Sequence, residues 1–257
     1  MKLAAWRCIG ASVTGVSHQR EDQPCQDYWR HCTLPTGELV VAVADGAGSA
    51  CMAQAGAHLV VEGAVAAVQA HRQRYQPTSR KAWRDLVAHA FGAAQRIVAH
   101  HAEQTGYTPR DYAATLMLAI VTPNLVACGL IGDCAIVVAA DEGELKSLCQ
   151  PQRGLYANTT YFATHHSHQE RLDLQLWEGA VSRVALFSDG LLSLAMNIEQ
   201  NRPYTPFFTP LFAFAAEATD SVEAGQALAT FLASARVNQR THDDKTLVLV
   251  TRTVSDQ

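Results

Sequence analysis

The 257-residue sequence contains no C-x-x-C pair and no Lys/Arg block longer than a few residues. It also lacks any uninterrupted apolar run of the ~18 residues that suggest a membrane-spanning helix. Each absence removes a class of function. Without a basic stripe, and with a formal net charge of −4, the chain is poorly suited to binding nucleic acid or an anionic membrane surface. A G-x-S-x-G elbow for a Ser/His/Asp hydrolase is missing. Gly46-Ala47-Gly48 begins a G-x-G, but no third glycine follows at dinucleotide spacing and no P-loop lysine follows either. The seven cysteines are odd in number. The first residues, Met1 to Arg7, are too soon interrupted to read as a signal peptide, so a reduced cytoplasmic protein with buried thiols is expected.

What the sequence does hold is core material. Hydrophobic residues make up 48% and charged residues 17%, which suits a globular domain rather than a disordered chain. Leu39–Ala44 is a near-continuous apolar run of strand length that stops at Asp45-Gly46-Ala47-Gly48. Strands are expected over 6–16, 25–34, 39–44, 113–121, 125–131, 134–140, 145–149, 183–187 and 246–252. Helices are expected over about 50–72, 80–104, 205–218 and 221–235, with Thr78 or Ser79 capping the second. Residues 150–180 show no strong period, and 236–243 read as a loop. Strands cluster into hairpins and helices come in pairs. That order argues for an α+β sandwich of mostly antiparallel sheets, in one domain spanning 1–257, and against a doubly wound parallel sheet.

Three acidic positions share one local design. Asp45 follows a buried strand and precedes Gly46, Asp189 follows Val184–Phe187 and precedes Gly190, and Asp243-Asp244 immediately precede the last strand. A carboxylate at the lip of a buried strand is held by the core yet faces solvent, and a neighbouring glycine admits close approach. Several such carboxylates on one spot repel one another and are tolerable chiefly when cations neutralise them. Oxygen ligands without Cys or His favour hard ions such as Mg²⁺ or Mn²⁺. Any single Asp-Gly is equally at home as an ordinary turn. The order of all the elements is what gives them meaning.

Val41–Ser49, with Asp45-Gly46 at its centre, resembles the metal-binding motif of the PPM-type (type 2C) Ser/Thr protein phosphatases. Gln26-Asp27, Ala113-Ala114-Thr115-Leu116, Gly129–Cys134 with its Gly132-Asp133, Phe187-Ser188-Asp189-Gly190-Leu191 and His242-Asp243-Asp244-Lys245-Thr246 resemble the other elements of that family, in order and spacing, from about 10 to 252. The resemblance implies an α-β-β-α sandwich, with two sheets flanked by pairs of helices. It implies two Mg²⁺ or Mn²⁺ ions bridged by Asp45. The Gly46 carbonyl would join one ion, and Asp189 and Asp243 would complete the shell of the other. Asp27 would hold a metal-bound water, and Asp133 with Asp189 would form a weaker third site. Asp27, Asp45, Asp189 and Asp243 are thus the expected catalytic set, with Asp244 supporting in place of the family's common Asn. The implied activity is hydrolysis of phosphoserine and phosphothreonine on proteins, opposing a Ser/Thr kinase, by a monomer.

The sequence departs from the family at one point. Where many members carry a phosphate-gripping Arg, about five residues before the upstream Asp, Asp22 stands here. Arg20 and His18 are the nearby candidates for that contact. Ser17-His18, Cys25-Gln26-Asp27 and Gly154–Phe162 resemble a divergent bacterial branch, so the missing Arg reads as a branch feature. His165-His166-Ser167-His168 reads as a solvated loop, since adjacent His on an extended segment face opposite ways and no further ligand is spaced for Zn²⁺. Cys25, Cys51 and Cys134 flank the proposed site, and either packing or redox sensing is open to them. Two other functions stay open: a non-catalytic docking module of the same fold, and a phosphatase of small phosphoesters.

Overall fold

A computed structural model describes residues 5–140, 143–152, 160–165, 168–197 and 199–253. In chain order the strands are β1 (Ala5–Val13), β2 (Asp27–Thr33), β3 (Leu39–Asp45), β4 (Leu116–Thr122), β5 (Leu125–Ile131), β6 (Ala135–Ala139), β7 (Lys146–Cys149), β8 (Asp173–Glu178), β9 (Arg183–Phe187), β10 (Met196–Asn197), β11 (Arg202–Pro203) and β12 (Lys245–Thr253). The helices are α1 (Val16–Arg20), α2 (Ala53–Arg72), α3 (Arg80–Thr105), α4 (His168–Arg171), α5 (Leu192–Ala195), α6 (Thr205–Glu217), α7 (Ser221–Leu232) and α8 (Ala235–Asn238).

Two five-stranded antiparallel sheets, ordered β1-β12-β9-β6-β7 and β2-β3-β4-β5-β8, pack face to face. β3, β4, β5, β6, β9 and most of β12 are buried along nearly their whole length, as expected of strands covered on both sides. Alternate residues of β3 show why. Val41 and Val43 face the other sheet, meeting Val184, Leu186, Val248 and Val250. Val40, Ala42 and Ala44 face outward onto α2 and α3, through Val60, Val61, Ala64, Phe91 and Ala94. On the opposite flank, Phe208, Leu211 and Phe212 of α6 and Leu228 and Leu232 of α7 cover Ala185, Phe187, Leu247 and Leu249. The result is helix pair, sheet, sheet, helix pair, the expected architecture.

The helix ends follow simple chemistry. Ser79 caps α3, its side chain accepting from Ala82 N at 3.2 Å, and Gly106 ends the helix in the left-handed region at φ 76°. Asp220 caps α7 by accepting from Val222 N and Glu223 N. The helix pair α2–α3 closes tightly at Gly63, where a Cβ would lie 2.8 Å from Ile97 Cδ1 and 3.1 Å from Ala94 Cα.

Four local expectations are corrected. β8 lies within the stretch without a period. It is a six-residue edge strand paired with β5, and its Asp173-Leu174-Gln175-Leu176 does alternate polar and apolar over that short span. The first strand ends at Val13, because the chain turns at Gly15 into α1. The strand expected from Ala113 starts at Leu116, and Ala113–Thr115 instead meet Asp45-Gly46-Ala47, at and just past the end of β3, through an isolated bridge and single bonds. The loop after α7 contains the single turn α8. The thiols are also less uniformly buried than expected: Cys8, Cys128, Cys134 and Cys149 are buried, Cys25 and Cys32 half-buried, and Cys51 exposed. Among the described residues no helix is long and apolar enough to cross a membrane.

Phe91 is fully buried at the centre of the α2–α3 cluster. Phe91→Ala is expected to lower the unfolding free energy by about 3–5 kcal/mol, read as a drop in urea midpoint with little change in slope.

Candidate metal centre

Strand register gathers the aspartates. Asp27 stands directly opposite Asp45 in the β2–β3 ladder. Phe187 pairs with both Ala135 and Leu247. Asp189 therefore emerges two residues beyond the same edge that Asp133 leaves on its way into β6 and that Asp243 leaves on its way into β12. Leu116 pairs with Ile131, which puts Thr115 at the same end of the other sheet. Asp45, Gly46, Asp133, Asp189 and Asp243 accordingly line one cavity of about 420 Å³, together with His18, Thr115, Thr160 and Phe162. Asp27 lies buried beside it, 5% exposed.

Four of these aspartates are tied to a neighbour, Asp27, Asp133 and Asp243 through the carboxylate and Asp45 through its backbone. Asp27 Oδ2 accepts from Ser188 Oγ at 2.7 Å, and Ser188 Oγ in turn accepts from Thr246 N at 2.9 Å, so β9 and β12 together hold a side chain from β2. Asp45 N donates to Thr115 Oγ1 at 2.9 Å and Asp45 O accepts from Thr115 N at 2.8 Å. Thr160 Oγ1 donates to Asp133 Oδ2. Asp243 Oδ1 accepts from Asp244 N at 2.9 Å. Gly46 is required by crowding, since a Cβ there would lie 2.6 Å from Ala53 O and 2.9 Å from Gln26 O.

Asp243 and Asp244 are adjacent but do different work. Asp243 lines the cavity. Asp244 turns into the protein, 2% exposed, where Oδ1 accepts from Gly15 N and Oδ2 from Gln26 N, both at 2.6 Å. Its Oδ1 also lies 3.0 Å from His18 Nδ1. His18 is thereby brought to the cavity wall, while Arg20, at the end of α1, is exposed and is not among the lining residues. Asp22 occupies an exposed turn at φ 55°. His165 is exposed and does not line the cavity. His166, Ser167 and the stretch Gly154–Thr159 lie outside the described residues.

The sequence alone named the carboxylates but not their supports. Ser188, Thr115 and Thr160 have no local signature beyond a hydroxyl near an aspartate, and their partners lie 161, 70 and 27 residues away.

The electrostatics fit a divalent cation. Burial pushes Asp27 up to about 7, with Asp244 and Asp189 adding repulsion against the pull of Ser188 and Thr246. Burial raises Asp189 to about 6, helped by Asp133 and Asp243. Burial, then the charges of Asp27 and Asp189, raises Asp45 well above its usual range, and burial raises Asp133. Asp27 Oδ1 and Asp189 Oδ1 are buried without a hydrogen-bond partner. Ligand atoms of Asp45, Asp133 and Cys134 all lie within 4.8 Å of one another. Buried, orphaned, mutually repelling carboxylate oxygens are what a hard cation satisfies.

These carboxyls bind protons more tightly in the fold than in the unfolded chain. Their contribution to stability is complete below their ordinary value of 3.8 and is lost as pH rises through about 6 to 7. A bound cation offsets that loss. The increase in melting temperature on adding Mn²⁺ is therefore expected to be small at pH 5 and large at pH 8, measured by thermal scanning against EDTA controls. An increase independent of pH would contradict this electrostatic account.

Comparison with known proteins agrees with the geometry. Residues 14–233 match the family described as protein phosphatase 2C. Serine/threonine-protein phosphatase 3 of Escherichia coli (strain K12) is 37% identical over 255 residues, covering 95% of this chain and 98% of that protein. Among solved structures, the serine/threonine phosphatase Stp1 of Staphylococcus aureus aligns at TM-score 0.65 and 13% identity, covering 100% of this chain and 98% of that one. The catalytic domain of the serine threonine protein phosphatase PstP, solved with two manganese ions, aligns at TM-score 0.61 and 18% identity, covering 97% and 99%. At such identities the two structures speak for the fold, while the family match spans most of the sequence. An end-to-end relative, a matching sandwich and strand-end carboxylates gathered in one cavity lead to one conclusion: this chain belongs to the protein phosphatase 2C family.

Proposed function

We propose that this chain is a metal-dependent phosphatase that hydrolyses phosphoserine and phosphothreonine on proteins. The observation that carries the proposal is the cavity lined by Asp45, Asp133, Asp189 and Asp243 and backed by Asp27, with carboxylate oxygens left unsatisfied. A scaffold serving only to dock partners gains nothing from this cluster, which costs stability at neutral pH. The named activity of the Escherichia coli relative supports the same reading. A substrate of this kind is made by a Ser/Thr kinase, so the chain would oppose one.

Asp45, the Gly46 carbonyl, Asp189 and Asp243 would hold two Mg²⁺ or Mn²⁺ ions, and Asp133 with Asp189 a weaker third. Such ions lower the pKa of a water, direct it at phosphorus and offset phosphoryl charge. The chain's own residues prepare the place. Ser188 fixes Asp27 through one oxygen and leaves the other for a water. Thr115 locks the backbone of Asp45 so that the Asp45-Gly46 unit cannot turn away. Among the described residues, His18 rather than Asp22 or Arg20 is the basic group on the cavity wall and would be the one to meet the phosphoryl group.

Hydrolysis of p-nitrophenyl phosphate and of a phosphothreonine peptide is expected with Mn²⁺ or Mg²⁺ and is expected to stop in EDTA. Asp45→Ala should reduce both to the EDTA background while circular dichroism remains that of the folded chain. A folded Asp45→Ala protein with full activity would sink the assignment.

A further inference from the structure

Cys128 and Cys149 lie in different sheets, on β5 and β7, yet their sulfurs are 3.6 Å apart. Both side chains are fully buried in the layer between the sheets. They form no C-x-x-C pair, so the fold alone makes them neighbours.

The surroundings let the two sulfurs meet. β7 is a four-residue strand at the edge of its sheet, and Cys149 is its last and only buried residue. Its pairing with β6 slips at that point: Ile136 faces Cys149 but Val137 faces Ser147, which leaves Leu148 as an extra residue. A strand with such a bulge can shift without breaking a regular ladder. β8, an edge strand of the other sheet, lies against the pair. The Cys128 and Cys149 thiols stand 3.7 and 4.0 Å from its Gln175 and Asp173 carbonyl oxygens. Short edge strands are where a sandwich opens first. A covalent bond requires the sulfurs to close from 3.6 Å to about 2 Å.

The pair also stands at the root of the segment between β7 and β8, which brings Thr160 and Phe162 to the wall of the metal-centre cavity. Gln152, just past Cys149, ties that root to the site. Its N donates to Gly132 O at 2.9 Å, and its Oε1 accepts from Gly132 N at 3.1 Å. Its Nε2 donates to Arg171 O at 2.6 Å, just before β8. Gly132 directly precedes Asp133. A pull on Cys149 is therefore passed through Gln152 to the loop that presents Asp133.

We propose that Cys128 and Cys149 are a redox couple, whose reversible disulfide joins the two sheets and lowers turnover at the metal centre by displacing the Gln152–Gly132 clamp beside Asp133; the effect on turnover rests on the phosphatase reading above. The oxidant is a hydroperoxide, of which hydrogen peroxide is small enough to enter when an edge strand opens. One thiol gives its proton to solvent and its sulfur attacks a peroxide oxygen. The O–O bond breaks and hydroxide leaves, taking up a proton to become water. The sulfenic acid so formed is attacked by the second sulfur, which has also lost its proton, and the S–O bond breaks to release a second water. The protein loses two hydrogens and the peroxide is reduced to two waters. A dithiol reductant reverses the change by thiol–disulfide exchange. In the closed state the contact with Cys128, then burial, holds the Cys149 thiol well above the ordinary range. It stays protonated, so oxidation of the pair is slower than that of the exposed Cys51.

The test treats the unaltered protein with hydrogen peroxide, alkylates remaining thiols in denaturant and maps the peptides by mass without reduction. A linked Cys128–Cys149 peptide pair is expected, two hydrogens lighter than its reduced parts, appearing after Cys51 is oxidised and lost in dithiothreitol. The melting temperature without metal should rise, because the link constrains the unfolded chain. EDTA-sensitive hydrolysis of p-nitrophenyl phosphate should fall several-fold with the link and return with dithiothreitol. Cys128→Ala and Cys149→Ala should each abolish both the link and the reversible loss. Alkylation of both cysteines after Cys51 is fully oxidised would overturn the couple, and the unaltered protein decides this even where the variants fail to fold. A linked protein with full turnover, or a reversible loss that persists in both variants, would overturn the regulatory role. Absence of EDTA-sensitive turnover by the reduced protein would overturn the phosphatase reading instead, with the link still decided by mass.

Discussion

Mutual repulsion among carboxylates held at one end of the sandwich is the constraint on which the rest of this structure depends. Asp27, Asp45, Asp133, Asp189 and Asp243 are brought together by strand register, and burial with neighbouring charge drives the proton affinities of the first four upward. Among the described residues, Ser188, Thr160 and the nearby buried Lys245 offset only part of that repulsion. The fold must therefore hold the aspartates by force elsewhere. It does so with three buried layers: strands covered on both faces, and helix pairs sealing the outer sides. A carboxylate at the mouth of such a strand cannot retreat without disturbing the core behind it.

Neutral hydroxyls form the next tier. Ser188, Thr115 and Thr160 hydrogen-bond the acidic residues without adding positive charge. A Lys or Arg in those places would neutralise the cluster and compete with a cation. The choice of hydroxyls keeps the negative potential available while Ser188 and Thr160 fix the side chains of Asp27 and Asp133 and Thr115 fixes the backbone of Asp45. Ser188 also ties β9 to β12, so the residue that orients Asp27 belongs to the ladder that presents Asp189 and Asp243.

Asp244 is the exception that shows how the site is closed. It is acidic and buried, yet its oxygens are filled by backbone donors from two loops and approached by His18. The same end of the sandwich thus uses one kind of residue in opposite ways. Asp243 keeps its charge for the cavity, and Asp244 spends its charge on holding the β1–α1 turn and the segment before β2 together.

Much of this was legible in the chain itself. Leu39–Ala44 declared a buried strand by composition, Thr78-Ser79 announced the start of α3, and Asp45 and Asp189 stood out at strand ends by their glycine neighbours. Those features are local, and local sequence is enough to determine them: strand burial needs apolar runs, caps need a side-chain acceptor, and turns need glycine. What the tertiary structure alone decided is long-range. β8 became a strand because β5 offers it an edge. Ala113–Thr115 left the β4 ladder because the loop after Asp45 needed their hydrogen bonds. His18 reached the cavity and Arg20 did not, and Asp243 and Asp244 parted company, because partners some two hundred residues away, Gly15, Gln26 and His18, claimed one carboxylate and left the other free. No periodicity or motif spacing encodes such a choice, since it is made by which backbone donors the finished fold leaves facing each oxygen.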